Sequence, residues 1–171
     1  MIETYFSAPW DDLVKGVTVG VFVLIGLLTA VFLFVVESLL LIVGLLILYG
    51  GTLAVPFLWA PRGYVIHRNL VLVKRLIGDA RILVSEPPRR WNWTWWGIRL
   101  FGSGSLYGYY GYFAFRGLGK VLMYATNRHK LVLIRDDRGR RYLISPDNPQ
   151  EFIKQLRRWP IGSQRATIRS Q

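Results

Sequence analysis

The 171 residues leave room for one domain of ordinary size beside any membrane segment, and they carry a formal net charge of +12. The absence of cysteine excludes disulfide bonds, thiolate metal sites and cysteine nucleophiles. Residues 16–60 hold one charged side chain, Glu37, whereas residues 62–171 hold 21 basic and 6 acidic side chains, so an apolar block precedes a basic block.

The apolar block predicts two transmembrane helices joined by a tight turn. Residues 17–36 and 39–58 are two uncharged runs, each long enough as a helix to cross a bilayer core of about 30 Å. We predict a hairpin over 14–60, with helices at about 14–36 and 39–59, after a short tail at 1–13. Glu37 then lies in the turn at the interface. The alternative is that Glu37 forms an intramembrane proton or ion site. Neither run contains a second ionisable group to pair with it, which disfavours this alternative.

The charges that flank the two runs predict the orientation of the hairpin. The turn carries only an acid, whereas the two outer ends carry the basic residues Lys15, Arg62, Arg68, Lys74 and Arg75. By the positive-inside rule, both termini face the cytoplasm of a multi-pass protein of the inner (plasma) membrane. Trp59 suits an aromatic belt at the interface. Gly16 and Gly20 have a helix-packing spacing that would suit an oligomer.

The basic block begins with a strand-like pattern and ends with a helical one. Short runs rich in β-branched residues at 64–67, 70–74, 81–84, 120–126, 130–135 and 141–144 predict an antiparallel sheet curled into a barrel. Asn148 as N-cap, Pro149 at the first helical position and Glu151 as the closing residue of a capping box predict the start of a helix. Its apolar positions are Phe152, Ile153, Leu156 and Trp159, and a flexible basic tail follows at 161–171.

No residue pattern in the basic block specifies catalysis. The glycine-rich stretch 102–111 lacks the spacing of a dinucleotide fingerprint, and Gly119-Lys120 is not followed by Ser or Thr, so we expect a loop with packed aromatic residues. The two histidines are isolated in sequence. Asp136 and Asp137 lie among arginines, which favours a solvated turn over acid–base chemistry. We therefore expect no enzymatic activity, no cofactor and no metal.

The tryptophan run 91–96 allows two interpretations. Trp91, Trp93, Trp95 and Trp96 could form a loop that dips into the lipid interface, which the density of tryptophan favours. The alternative is a strand with Trp91, Trp93 and Trp95 on one face, which their alternation favours.

The basic charge suits an anionic leaflet, where each surface cation contributes on the order of 1 kcal/mol. Nucleic acid is the rival ligand, but no nucleic-acid motif accompanies the charge, and we expect none to bind. The candidates for lipid-headgroup contacts are Arg89, Arg90, Arg138, Arg140 and Arg141.

The order of these segments, with the motifs at 102–111, 118–128 and 144–152, resembles prokaryotic membrane proteins that carry a bacterial pleckstrin-homology (PH) domain. The resemblance covers about residues 62–158. It implies an α+β membrane protein in which a PH-like antiparallel β-barrel or sandwich, at 62–160, is closed by the C-terminal α-helix. It also implies a binding or assembly module without known enzymatic activity. Phosphoinositide recognition is not implied, because Lys74-Arg75 lacks the third basic residue of that motif.

We therefore expect a module that docks on the anionic cytoplasmic leaflet and binds a protein partner or itself. The alternative is an accessory subunit of a membrane enzyme or transporter complex that acts through its transmembrane hairpin.

Overall fold

The computed structural model describes residues 4–35, 38–93 and 97–158, and its helical part agrees with the two predicted spans. Helix α1 is Asp12–Val35 and helix α2 is Leu39–Trp59, and both are long and apolar enough to cross a membrane. Only Val14 and Thr18 of α1 are buried, and no residue of α2 is. The apolar side chains of this pair therefore face outward. The predicted turn residue Glu37 lies outside the described residues.

The first sheet has four strands and begins with a segment that the sequence suggested to be a short tail. Its strands, in spatial order, are β1 (Thr4–Ser7), β2 (Gly63–His67), β3 (Leu70–Lys74) and β4 (Ala80–Leu83), all antiparallel. Phe6 of β1 is buried, and its ring packs edge-on against Phe152, with 5.1 Å between centroids. The chain before α1 therefore belongs to the same folded unit as the residues after α2.

The second sheet has six strands, and one of its pairs is parallel. Its members are β5 (Arg89–Arg90), β6 (Gly97–Gly104), β7 (Tyr109–Phe115), β8 (Gly119–Ala125), β9 (Val132–Arg135) and β10 (Arg141–Ile144). The spatial order is β5-β9-β10-β8-β7-β6, so β10 lies between β9 and β8. It pairs antiparallel with β9 and parallel with β8.

Two parts of the predicted sheet architecture are corrected by this topology. The sheet is not wholly antiparallel, because the chain crosses over to place β10 beside β8. Within residues 4–35, 38–93 and 97–158, the strands form two open sheets and no closed barrel. Buried residues of β1–β4, β9 and β10 share one core, as the sandwich alternative requires. A second core on the other side of the larger sheet contains Val14 of α1.

The predicted C-terminal helix is present as α3 (Pro149–Arg157). The Asn148 side chain accepts a hydrogen bond from the Glu151 amide at 3.2 Å, as expected of an N-cap. The capping box does not close, because the Asn148 amide donates to its neighbour Asp147 instead of Glu151. Phe152 and Leu156 are fully buried in the core of the two sheets. The predicted fourth apolar position, Trp159, and the predicted tail lie outside the described residues.

Candidate functional site

A buried carboxylate, Asp11, connects several segments where α1 meets the β-domain. Asp11 is 5% exposed and caps α1, because its Oδ1 accepts a hydrogen bond from the Val14 amide at 2.8 Å. Its Oδ2 accepts from the Arg128 amide at 3.1 Å and from the Tyr109 hydroxyl at 3.2 Å. The Arg128 guanidinium Nε lies 3.6 Å from the same oxygen. One carboxylate therefore joins the start of α1 to the start of β7 and to the turn after β8.

The second connection is the β6–β7 turn, whose central residue is Tyr107. Its amide donates a hydrogen bond to the Thr18 hydroxyl of α1 at 3.2 Å. Its ring contacts Phe22 of α1 and Phe57 of α2, with centroid distances of 6.4 and 5.3 Å. Tyr107 has a φ of +57°, in the left-handed region that non-glycine residues rarely adopt. This backbone conformation costs on the order of 1 kcal/mol, and the contacts with both helices over-determine it.

Apolar packing completes what we call the junction, defined by Asp11, Val14, Thr18, Tyr107 and Tyr109. Val14 is fully buried in the second core, in the same cluster as Tyr109. The residue after α2, Ala60, forms a third buried cluster with Tyr107 and Tyr110. The start of α1 and the end of α2 are therefore both fixed to the same end of the β-domain.

A polar network behind the junction links the two sheets. The Tyr64 hydroxyl of β2 donates to the Tyr124 carbonyl of β8 at 2.6 Å and accepts from the Ser145 amide at 3.1 Å. The Ser145 hydroxyl in turn accepts from the Thr126 amide at 2.7 Å. Thr126 reaches the chain before α1, because its carbonyl accepts from the Asp11 amide at 3.0 Å. The register of the sheets and the position of α1 are thus coupled through hydrogen bonds.

The tyrosines of the junction are held in their neutral form. Burial raises the pKa of Tyr109 to about 12, and the adjacent negative charge of Asp11 acts in the same direction. Burial also raises the pKa of Tyr107 and, in the network behind it, raises that of Tyr64 to about 12. The Tyr109 and Tyr64 hydroxyl groups therefore serve as hydrogen-bond partners and not as bases at neutral pH.

Glycines on both sides of Tyr107, within residues 102–111, allow β6 and β7 to approach each other closely. Gly102 and Gly111 are paired across β6 and β7, and both have a φ of +111°. A Cβ on Gly111 would collide with the carbonyl oxygen of Phe101, and one on Gly102 would collide with that of Tyr110. The predicted packing of aromatic residues is confirmed for Tyr109 and Tyr110, which are buried beside this pair. The prediction of a loop over 102–111 is wrong except at 105–108, because the residues on either side belong to β6 and β7.

The headgroup candidates Arg138, Arg140 and Arg141 lie on the β9–β10 turn or at the first residue of β10. Because β10 runs parallel to β8, and β8 ends beside the junction, these three lie at the opposite end of the strands. Arg89 and Arg90 are exposed on β5 at the sheet edge. The structure does not bring the five arginines into one cluster, and their contact with headgroups stays a prediction.

The expectation that Asp136 belongs to a solvated turn is wrong. Its side chain is 3% exposed and accepts hydrogen bonds from the Arg140 guanidinium at 2.7 Å and the Tyr142 hydroxyl at 3.0 Å. Backbone amides of Arg138 and Arg140 donate to its other oxygen at 3.0 and 2.8 Å. Burial alone would raise the pKa of Asp136, but these hydrogen bonds outweigh it and hold the pKa below the ordinary 3.8. Asp137 is exposed, as expected.

The tryptophan candidates are divided among different surroundings. Trp91 and Trp93 pack against the second core, and the Trp93 ring lies 5.3 Å from the rings of both Tyr109 and Phe115. This agrees with the packing interpretation for these two, although residues 91–93 are not in a strand. Trp59 ends α2 and is 49% exposed. Trp95 and Trp96 lie outside the described residues.

An exposed apolar strand forms one edge of the larger sheet. β6 pairs with β7 on one side and has no described strand on the other. Ile98, Leu100 and Phe101 on this strand are 68%, 55% and 71% exposed. An edge strand of this kind offers unpaired backbone groups and apolar contacts to another chain.

No group of three or more potential metal ligands comes together in the part of the chain that the structure describes. Sequence reasoning missed Asp11 as a structural centre, although an aspartate just before a long apolar helix is an N-cap signal. It also missed Tyr107, for which the sequence carries no comparable local signal.

A comparison with family models matches residues 62–159, more than half of the chain, to a model described as a bacterial PH domain. No curated protein and no solved structure matches the chain. The matched range begins after α2, so it does not contain β1 or the first turn of α1, which the structure packs into the same cores.

Proposed function

Because the chain belongs to the bacterial PH domain family, we propose that it is a membrane-anchored, non-enzymatic binding and assembly module. Its helices form a transmembrane hairpin in the inner membrane with both termini in the cytoplasm. The domain docks on the anionic leaflet and binds a protein partner or a second copy of itself. The observation that carries the proposal is the junction, which fixes the domain directly to both helices.

The exposure of the helices supports a bilayer environment for them. A core helix of a water-soluble protein would bury most of its apolar side chains, whereas α2 buries none and α1 buries two near its start. Leu46 and Phe34 are examples, at 52% and 93% exposed. An apolar surface of this size requires lipid or another apolar partner.

The junction supports a domain of fixed orientation in preference to one on a flexible tether. The linker from α2 to β2 is only three residues, from Ala60 to Arg62, and Ala60 is itself buried. Four residues, 8–11, join α1 to β1, which is part of the first sheet. Such a domain presents the same surface to the membrane in every molecule, which suits a module that positions a partner.

The basic charge supports docking on an anionic leaflet. Residues 62–171 carry 21 basic and 6 acidic side chains. Arg89 and Arg90 are exposed candidates for headgroup contacts, and Arg138, Arg140 and Arg141 would reach a leaflet only if the domain lay along it.

The edge strand β6 supports the binding of a protein. An antiparallel strand added to this edge would satisfy its free backbone groups and cover Ile98, Leu100 and Phe101. Either a partner protein or a second copy of the chain could supply that strand. The mass of the purified complex distinguishes the two.

The test of the binding part is native mass spectrometry of the full chain extracted in mild detergent. We expect a homo-oligomer or a stoichiometric complex that is weakened by Leu100→Lys, with Arg81→Ala as the control because Arg81 is exposed on β4 of the other sheet. A complex that survives Leu100→Lys but is lost with substitutions in α2 would favour the accessory-subunit alternative. A wild-type chain found only as an isolated monomer would refute the binding part.

The docking part is tested separately, by amide hydrogen exchange of the full chain in nanodiscs. We expect domain segments to gain protection when phosphatidylglycerol is added to phosphatidylcholine, and to lose the gain in high salt, because salt screens exposed charges. Equal exchange in neutral and anionic nanodiscs would refute electrostatic docking but would leave the anchor untouched.

A further inference from the structure

We propose that the β3–β4 turn, residues 75–79, is a lipid-binding element that inserts Leu76 and Ile77 into the bilayer interface beside the end of α2. The inference rests on the proposed function, because it requires α2 to span a bilayer. It concerns a part of the chain that the sequence patterns did not single out as a membrane contact.

A hydrogen bond fixes the turn to the helix end. The Ile77 amide donates to the Leu58 carbonyl in the last turn of α2, at 3.3 Å. The final carbonyls of a helix have no partner within the helix, so this bond satisfies one that would otherwise need water or a side chain. The next residue, Trp59, is 49% exposed and suits the interfacial level of a bilayer. The turn therefore lies at the depth where α2 leaves the apolar layer.

The tip of the turn is apolar, although turns usually carry small polar residues. Leu76 is 49% exposed and Ile77 is 53% exposed, and the two are adjacent. No described residue covers them, and a bilayer that surrounds α2 would. Continuity with the outward apolar surface of the helix identifies lipid as the occupant.

The turn is held in one conformation by charged and polar contacts. The Asp79 carboxylate accepts from the Lys74 ammonium group at 2.6 Å and from the Arg75 amide at 3.2 Å. The Arg75 guanidinium also donates to the Gly78 carbonyl, and Gly78 has a φ of +64°. A rigid turn loses little conformational entropy on insertion. Its apolar tip is therefore preorganised for insertion.

Basic side chains surround the same helix end. Lys74 and Arg75 directly precede the apolar pair and bind Asp79 and the Gly78 carbonyl, whereas the exposed Arg62 lies over the Phe57 ring of α2, with 4.7 Å between its guanidinium and the ring centroid. Lysine and arginine side chains near a helix end can lie along apolar surface while their charges reach the headgroups. An apolar tip beside basic side chains is typical of an interfacial anchor on an anionic leaflet.

Site-directed spin labelling tests the proposal, because the chain has no native cysteine. A nitroxide is attached to the full chain carrying Ile77→Cys, reconstituted in bilayers of phosphatidylcholine and phosphatidylglycerol, and its collisions with oxygen and with a water-soluble nickel chelate are measured. Leu46→Cys, within α2, is the reference for lipid. Asp137→Cys, exposed on the β9–β10 turn, is the reference for water. Circular dichroism verifies that each labelled chain is folded.

We expect the label at 77 to collide more with oxygen than with nickel, at a depth between the labels at 46 and 137. Leu76→Cys should repeat the result. If the label at 46 is in lipid but the label at 77 matches 137, the turn does not insert and the inference fails while the anchor stands. A label at 77 shielded from both reagents would mean that protein covers the turn, which also overturns the inference. A label at 46 in water would refute the anchor itself.

Discussion

Asp11→Ala is expected to loosen the attachment of the β-domain to α1. The substitution removes the N-cap of α1, which costs about 1 kcal/mol. It also leaves the Arg128 amide and the Tyr109 hydroxyl without the acceptor that they have in the buried junction. Each buried donor left unsatisfied costs about 1–3 kcal/mol, so a total of about 3 kcal/mol follows if one of the two finds another partner. Asp11→Asn keeps one oxygen for the cap, but its NH2 group replaces the oxygen that accepts from the Arg128 amide, so we expect a smaller but measurable loss.

The matched control for this substitution is the adjacent Asp12→Ala. Asp12 is fully exposed and makes only a surface ion pair with Lys15 at 3.5 Å, so its removal should change nothing measurable. The assay is thermal unfolding of the full chain in detergent, followed by near-ultraviolet circular dichroism. A loss of about 3 kcal/mol should lower the melting temperature by about 10 °C or more. The near-ultraviolet signal is suited to this measurement because the Trp93 ring lies against Tyr109.

A second readout separates loosening of the junction from general destabilisation. Nitroxides on Leu28→Cys in α1 and Arg116→Cys in the β7–β8 turn report the distance between the helix and the domain. We expect a narrow distribution in the parent chain, a broad one with Asp11→Ala, and no change with Asp12→Ala. Our reasoning is refuted if the Asp11→Ala chain has the same melting temperature as the Asp12→Ala chain and keeps a narrow distance distribution. The contacts of Asp11 would then not hold the junction together.

Burial and backbone conformation make Asp136, Gly111 and Tyr109 sensitive to change. Asp136→Asn should destabilise the chain by about 2 kcal/mol in thermal unfolding, because it removes the charge and one of two buried oxygens that accept hydrogen bonds, whereas Asp137→Asn should have no effect. Gly111→Ala should prevent stable folding, while Gly117→Ala should cost about 1 kcal/mol, because both have positive φ but only Gly111 faces a strand carbonyl. Because the pKa of Tyr109 rises from 10.0 to about 12 on folding, its contribution to stability is complete below pH 10 and is lost as the pH rises towards 12. A pH titration of unfolding in which stability is constant from pH 9 to 12 would contradict this.

Acid should lower the stability of the fold through Asp136, whereas high pH lowers it through Tyr109. Its pKa is lower in the folded chain than the ordinary 3.8, so its stabilisation is complete above that value and is lost as the pH falls through the folded pKa. The Asp136→Asn chain should therefore lose less stability than the parent when the pH falls below about 4.

The sequence located the segments whose signals are local. The uncharged runs predicted two long apolar helices, and the structure has α1 and α2 there, because a helix that crosses an apolar layer needs many consecutive residues without charge. Asn148 and Pro149 placed the start of α3, since a helix cap is made by residues three or four positions apart. The motifs around the later strands were sufficient to suggest the family that the match over residues 62–159 establishes.

Only the tertiary structure assigned Thr4–Ser7 to a sheet, placed β10 beside β8 and buried Asp136. The same is true of the junction, where Asp11 meets Tyr109 and Arg128 across 98 and 117 positions of sequence. A carboxylate in a charged turn looks the same in sequence whether water or a buried arginine and tyrosine surround it. Hydropathy and periodicity describe neighbouring residues, whereas strand order and the burial of a charge depend on which distant residues the fold brings into contact.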